Sequence, residues 1–126
     1  STYNLFYDLP IYKSCRIFRK NISLIVRKHF PKSEEYSLKG QILNSTDLLT
    51  ANIAEGFGRF HYQENIQFCR QSRGSLTETL EHMITAFDEK YITKNITEVN
   101  KGYKECLKEL NSYIKYLKAA KSINNQ

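Results

Sequence analysis

HYQENIQFCRQSRGSLTETLEHMITAFDE, His61 to Glu89, is the stretch whose reading decides the fold. Ile66, Cys69, Arg73, Leu76, Leu80, Met83 and Phe87 recur there at alternating steps of 3 and 4, which places them on one stripe of a helix. Ser75 and Glu78 fit a capping box after Gly74, which would start a new helix there. The stripe passes through Gly74 without slipping phase, so the spacing predicts a single helix over 61–89.

The flanking stretches repeat the pattern. Before it, Leu38, Ile42, Ser45, Leu49, Asn52 and Gly56 keep the same alternation, although half of this stripe is polar or lacks a side chain. Ser33 with Glu34 and Glu35 suits the positive end of a helix, and Gly56-Phe57-Gly58 suits its finish, giving a helix over 34–57. Ile11, Cys15, Phe18, Ile22 and Ile25 define a first helix over 9–30. There Asp8 can cap, Pro10 fits the first turn, Tyr7 and Tyr12 stand at staple spacing, and Phe30-Pro31 ends the run. Asn95 and Glu98 open a last helix over 96–121, on the stripe Val99, Tyr103, Cys106, Leu110, Tyr113 and Leu117. No strand pattern competes. Connections of a few residues force neighbours antiparallel, so the expectation is one all-α domain over 1–126, an up-down-up-down four-helix bundle.

The 126 residues, 40% hydrophobic and 25% charged, leave no room for a second full domain. No apolar run approaches the about 20 residues of a membrane span, and Ser1 to Pro10 shows no secretory pattern, so the expected location is cytoplasmic. Cys15, Cys69 and Cys106 are odd in number and widely spaced, which argues for buried thiols over disulfides or a zinc site.

The net charge of +6 is concentrated. Leu9 to Ser33 carries Lys13, Arg16, Arg19, Lys20, Arg27, Lys28 and Lys32 with no acid, and the remainder nets −1. A second acid-free stretch, with Lys115, Lys118 and Lys121, closes the chain after Glu109. First and last helices are neighbours in an up-down bundle, so the two stretches are expected to form one basic face. Tyr12, Tyr113 and Tyr116 lie in the same neighbourhood, where a ring can stack on a base or on protein. Asn52, Glu55 and Arg59 share one edge of the second helix, with Glu55 and Arg59 at salt-bridge spacing. With Ser75 and Glu78 facing them, they are expected to form a polar network that fixes helix register, as buried polar residues do in coiled coils.

The run Asn52-Ile53-Ala54-Glu55-Gly56-Phe57-Gly58-Arg59, then Phe68, then Arg73-Gly74-Ser75-Leu76 with Glu78, resembles the signature of a bacterial four-helix-bundle family. That family includes proteins encoded in intervening sequences of large-subunit ribosomal RNA genes and the accessory variability determinant of diversity-generating retroelements. Asp8-Leu9, Phe30-Pro31 and Gln41 extend the likeness over nearly the whole chain. The resemblance implies a homo-oligomer, a ring-shaped pentamer, and for the retroelement branch it implies binding of nucleic acid and of a reverse transcriptase through basic surfaces. His61 stands where the family often has Ser, and Ser72 where it often has Ala.

Enzyme readings find little footing. A di-iron bundle needs Glu-x-x-His on two helices, and neither His29, His61 nor His82 provides it. The Arg-x4-His of helical RNases fails, because Leu24, Gly56 and Thr77 stand five before the histidines. Ser75 has no His and acid at triad spacing, and Gly-Phe-Gly closes a helix instead of opening one on a phosphate. The expectation is a non-catalytic protein without cofactor or metal that binds RNA or DNA with weak sequence preference through Lys13, Arg16, Arg19, Lys20, Arg27, Lys28, Lys115, Lys118 and Lys121. The rivals are a protein-interaction scaffold whose polar cluster is purely structural, and an enzyme pocket at Asn52, Glu55 and Arg59.

Overall fold

The structure, a computed structural model, describes residues 3–124. Four α-helices run over Pro10–His29 (α1), Leu38–Phe57 (α2), Tyr62–Asp88 (α3) and Asn95–Asn124 (α4). Short 3-10 turns stand at Phe6–Asp8 and Lys32–Glu34, and there is no strand among the described residues. Each helix packs on its two neighbours, α1 on α2 and α4, and α3 on α2 and α4, while the diagonal pairs stay apart among the described residues. This is the antiparallel four-helix bundle that the apolar stripes predict.

The stripe residues Ile11, Cys15, Phe18, Ile22 and Ile25 of α1 are buried, as are Leu38, Ile42 and Leu49 of α2 and Ile66, Cys69, Leu76 and Met83 of α3. In the second half of α3 the core face is rotated by one residue from the apolar reading. Ser72, Thr79 and Ala86 are buried, whereas Arg73 reaches Asn111 of α4 at 2.8 Å and Phe87 is 44% exposed. Toward the C-terminal end of α4, Leu117 of the expected stripe is buried, and Ile114 is buried in place of its neighbour Tyr113. All three thiols are buried and free. Burial pushes the Cys69 thiol up to about 12, and the neighbouring Cys106 together with burial pushes Cys15 upward as well.

The helix ends depart from the expected caps. α2 starts at Leu38 because Lys32–Glu34 first winds a 3-10 turn. Glu34 is used as a clasp: Ser37 donates to one of its carboxylate oxygens, and Tyr91, from the α3–α4 turn, donates to the other at 2.7 Å. These two bonds, Ser37's first, hold the Glu34 carboxyl below its ordinary value. Leu9, not Asp8, occupies the α1 cap position, with Pro10 in the first turn. Phe6, not Tyr7, packs edge-on against Tyr12 at 5.1 Å. Glu98 accepts from Asn21 of α1 at 2.6 Å instead of closing a box on its own helix. After α3, Tyr91 N–H returns to Ala86 C=O and Lys90 N–H to Phe87 C=O, a Schellman turn whose left-handed residue is Lys90, at φ 67°.

α2 and α3 meet through small and polar residues. Ser45 and Thr79, both buried, share a hydrogen bond of 2.7 Å. Ser72 donates to the Leu49 carbonyl at 2.8 Å. Thr46 donates back to Ile42 in its own helix, so the seam's hydroxyls are all partnered. At Gly56 a Cβ would lie 2.6 Å from Asn65 Oδ1 and 2.9 Å from Phe68 Cβ. Only glycine permits this approach of the two helices.

Candidate nucleic-acid surface and end cleft

Lys13, Lys20 and Arg27 are seven residues apart on α1 and form an exposed row, with Arg16 and Lys28 exposed beside it. None of these five forms an ion pair among the described residues; Arg27 donates to Ser23 of its own helix at 3.0 Å. Arg19 is turned away from the row, and its guanidinium donates to Thr50 of α2 at 2.6 Å.

On α4 the flank toward α1 is marked by Glu98 on Asn21, by Gly102 under the Phe18 ring, and by the Cys106 thiol on the Ser14 carbonyl at 3.9 Å. The flank toward α3 is marked by Tyr103 at Thr77 and Asn111 at Arg73. Lys115 and Lys118 stand one and two turns beyond Asn111, on that second flank. Lys121 lies there too, its ammonium bonded to Gln63 of α3 at 2.5 Å. Glu105 and Glu109 follow Glu98 at two and three turns, on the first flank. The single basic face expected of helices one and four is therefore divided. An acidic edge separates the α1 row from the α4 lysines, because adjacency of two helices does not fix which flank each turns to the other.

The expected polar network is not formed either. Asn52 donates to Leu48 of its own helix at 2.9 Å, Glu55 pairs with Arg59 at 2.8 Å on the surface, and Glu78 faces His82 at 3.7 Å. The hydroxyl of Ser75 meets none of them, and its carbonyl accepts from Thr79. Asn52, Glu55 and Glu78 are satisfied by groups four residues away in sequence, and Arg59 is the one member that reaches α3, through Glu64 and Phe68. The seam's polar positions are Ser45, Thr46, Thr50, Ser72 and Thr79, and Asn65 is also buried.

Beyond the first turn of α1, α4 continues to Asn124, and the α2–α3 turn folds toward it. Between them opens a cleft of about 1220 Å³ walled by Phe57, Phe60, Tyr62, Tyr113 and Tyr116. Arg59 lies at its edge, held by Glu55 and by Glu64 at 3.5 Å and stacked over Phe68 at 4.8 Å. Asn65, 8% exposed, donates to the Tyr113 hydroxyl at 3.3 Å, and burial pushes that phenol up to about 12. The apolar stripes do not reveal this cleft. Its only signal in the sequence is the crowding of aromatic residues around the Gly56-Phe57-Gly58 turn, facing Tyr113 and Tyr116.

The family described as 23S rRNA-intervening sequence protein matches residues 7–112. The chain belongs to this family. No curated protein matches it in sequence. A crystal structure of a protein of unknown function from the S23 ribosomal protein family of Bacteroides thetaiotaomicron superposes with a TM-score of 0.75 at 23% identity, covering 83% of this chain and 98% of that one. That likeness shows the shared fold. The residues that carry the resemblance to this 23S rRNA-intervening sequence protein family lie at two junctions: Gly56 at the close α2–α3 approach with Arg59 stacked over Phe68, and Arg73 tying α3 to α4. The departure at Ser72 places a hydroxyl on the Leu49 carbonyl, and that at His61 leaves α3 without a side-chain cap bond. No described helix is long and apolar enough to cross a membrane.

Proposed function

We propose that this 23S rRNA-intervening sequence protein is a non-catalytic, homo-oligomeric bundle that binds RNA or DNA with weak sequence preference. The observation that carries the reading is the exposed row of Lys13, Lys20 and Arg27 with Arg16 and Lys28, on a helix without an acid and, among the described residues, without ion pairs to neutralise them. Such cations bind phosphates, and each phosphate neutralised releases counterions, so affinity falls steeply with salt. Lys115 and Lys118 form a second, smaller strip. The oligomer, a pentamer, rests on the family resemblance, as does an accessory role beside a reverse transcriptase in the cytoplasm.

Filter binding of a 30-nucleotide RNA and its DNA counterpart at low salt tests the reading. Lys13→Glu with Lys20→Glu should weaken retention at least tenfold and flatten the salt slope by roughly 0.7 to 0.9 for every phosphate no longer neutralised. No retention by the wild type, or retention indifferent to these reversals, refutes it. A protein-interaction scaffold is the second reading, favoured by Ile17 and Leu24, 70% and 68% exposed, one heptad apart amid the α1 cations. A protein partner survives nuclease treatment during purification, whereas a nucleic acid does not.

A further inference from the structure

The end cleft is distinct from the cationic row and has a chemistry of its own. Its walls carry aromatic rings: Tyr113 and Tyr116 stack on each other at 6.2 Å and 17°, with Tyr116 56% exposed and Phe60 84% exposed. Four large aromatic side chains at this end of the bundle, Tyr3, Tyr7, Phe60 and Tyr116, remain accessible to solvent. The polar groups are arranged in order. The buried Asn65 amide and the Tyr113 hydroxyl lie between the helices, the carboxylates of Glu105 and Glu109 line the α4 side, and Lys108 supplies a cation without an ion pair among the described residues.

We propose that this cleft takes an unpaired nucleobase of a single-stranded nucleic acid. Ring faces stack on any base, which agrees with weak sequence preference. Carboxylates repel a phosphate but accept hydrogen bonds from exocyclic amines, so the base enters and the phosphate stays outside, near Lys108. The volume of about 1220 Å³ exceeds the about 300 to 1,000 Å³ of ordinary small-molecule pockets. It suits a segment of strand better than a lone metabolite. A duplex, whose bases are already stacked, cannot use such a site.

This inference rests on nucleic-acid binding, and the experiment separates the two. Fluorescence anisotropy of the whole protein is measured with a labelled 20-nucleotide strand, the matching duplex, and the same strand carrying central abasic sites. Tyr116→Ala and Phe60→Ala, both at exposed positions, should keep the wild-type melting temperature. Each should weaken single-strand binding about fivefold or more and leave duplex binding unchanged, with Tyr116→Phe restoring the wild-type value. The abasic strand should bind the wild type more weakly and be indifferent to Tyr116→Ala. If both alanine variants hold the single strand within twofold of wild type, or weaken the duplex equally, the cleft does not take a base while the cationic reading stands. Competition by micromolar adenosine monophosphate would make the free nucleotide the occupant and overturn the strand. If the wild type binds neither strand nor duplex, the proposed function fails first.

Discussion

The α2–α3 seam and the α1–α4 seam solve the same packing problem in opposite ways. The first is closed by small and hydroxyl-bearing residues: Gly56 against Asn65 and Phe68, Ser45 on Thr79, and Ser72 on the Leu49 carbonyl. The second has a close approach, Gly102 under the edge of the Phe18 ring, a polar bridge at its surface, Asn21 to Glu98, and a long thiol contact from Cys106 to the Ser14 carbonyl. Backbones that approach closely leave no room for adjustment, and partnered hydroxyls add direction to the fit. The looser seam leaves α1 free to carry cations on its outer surface, and past its first turn the bundle opens into the cleft. The difference teaches that specificity of register sits in one half of the molecule and exposed chemistry in the other.

Substituting the two glycines puts that contrast to its hardest test. At Gly56 an added methyl meets Asn65 Oδ1 at 2.6 Å, in an amide held by Cys69 and Tyr113, and also Phe68 Cβ at 2.9 Å and the Asn65 carbonyl at 3.2 Å, two atoms at or next to the backbone. Gly56→Ala should lose roughly 1 to 3 kcal/mol of stability in urea unfolding despite its better helix propensity. At Gly102 the obstruction is the Phe18 ring, at 2.8 Å, and an aromatic ring pivots. Gly102→Ala should cost clearly less, and equal losses at the two sites would erase the distinction between the seams. Next in size, Thr79→Val removes the bond to Ser45 but leaves Ser45 its bond to the Ile42 carbonyl, so a loss of about 1 kcal/mol is expected. Gly74 lies in α3 with nothing within 4 Å of an added methyl. Gly74→Ala should therefore stabilise by up to about 1 kcal/mol, and a loss there would reveal a neighbour outside the single chain.

The smallest effect is the clasp on the loop that joins α1 to the tight half. Glu34 has its carboxyl held below the ordinary value of 4.5 by Ser37 and Tyr91. A depressed carboxyl contributes stability above its unfolded value and loses it as pH falls through the folded one. Wild type should therefore exceed Glu34→Gln in stability at pH 6 and converge with it as the pH drops below 4.5. An unchanging gap between the two proteins down to pH 3 would contradict this.

The four helices are legible in the sequence because apolar residues must share a face, and that constraint survives whatever the neighbours are. Gly74 falls inside α3 for the same reason. Residues of mixed character are not legible. Thr79 and Ser72 are buried beside Leu80 and Arg73 because their small side chains fit the close seam, a preference set by the partner helix and invisible in periodicity. Spacing alone makes a core network of Asn52, Glu55 and Arg59, yet each satisfies itself near its own helix. The basic face fails in the same way: placing Lys118 and Lys121 requires the rotation of α4 about its axis, which depends on its packing against α1 and α3 together.

The buried thiols turn the bundle into its own stopwatch. Cys15, Cys69 and Cys106 sit on α1, α3 and α4, and a thiol reagent reaches each only when the helix around it departs. Uniform modification of all three would mean the molecule comes apart as one unit. Earlier labelling of Cys15 and Cys106 than of Cys69 would mean that α1 peels away first and briefly uncovers the interior beside it.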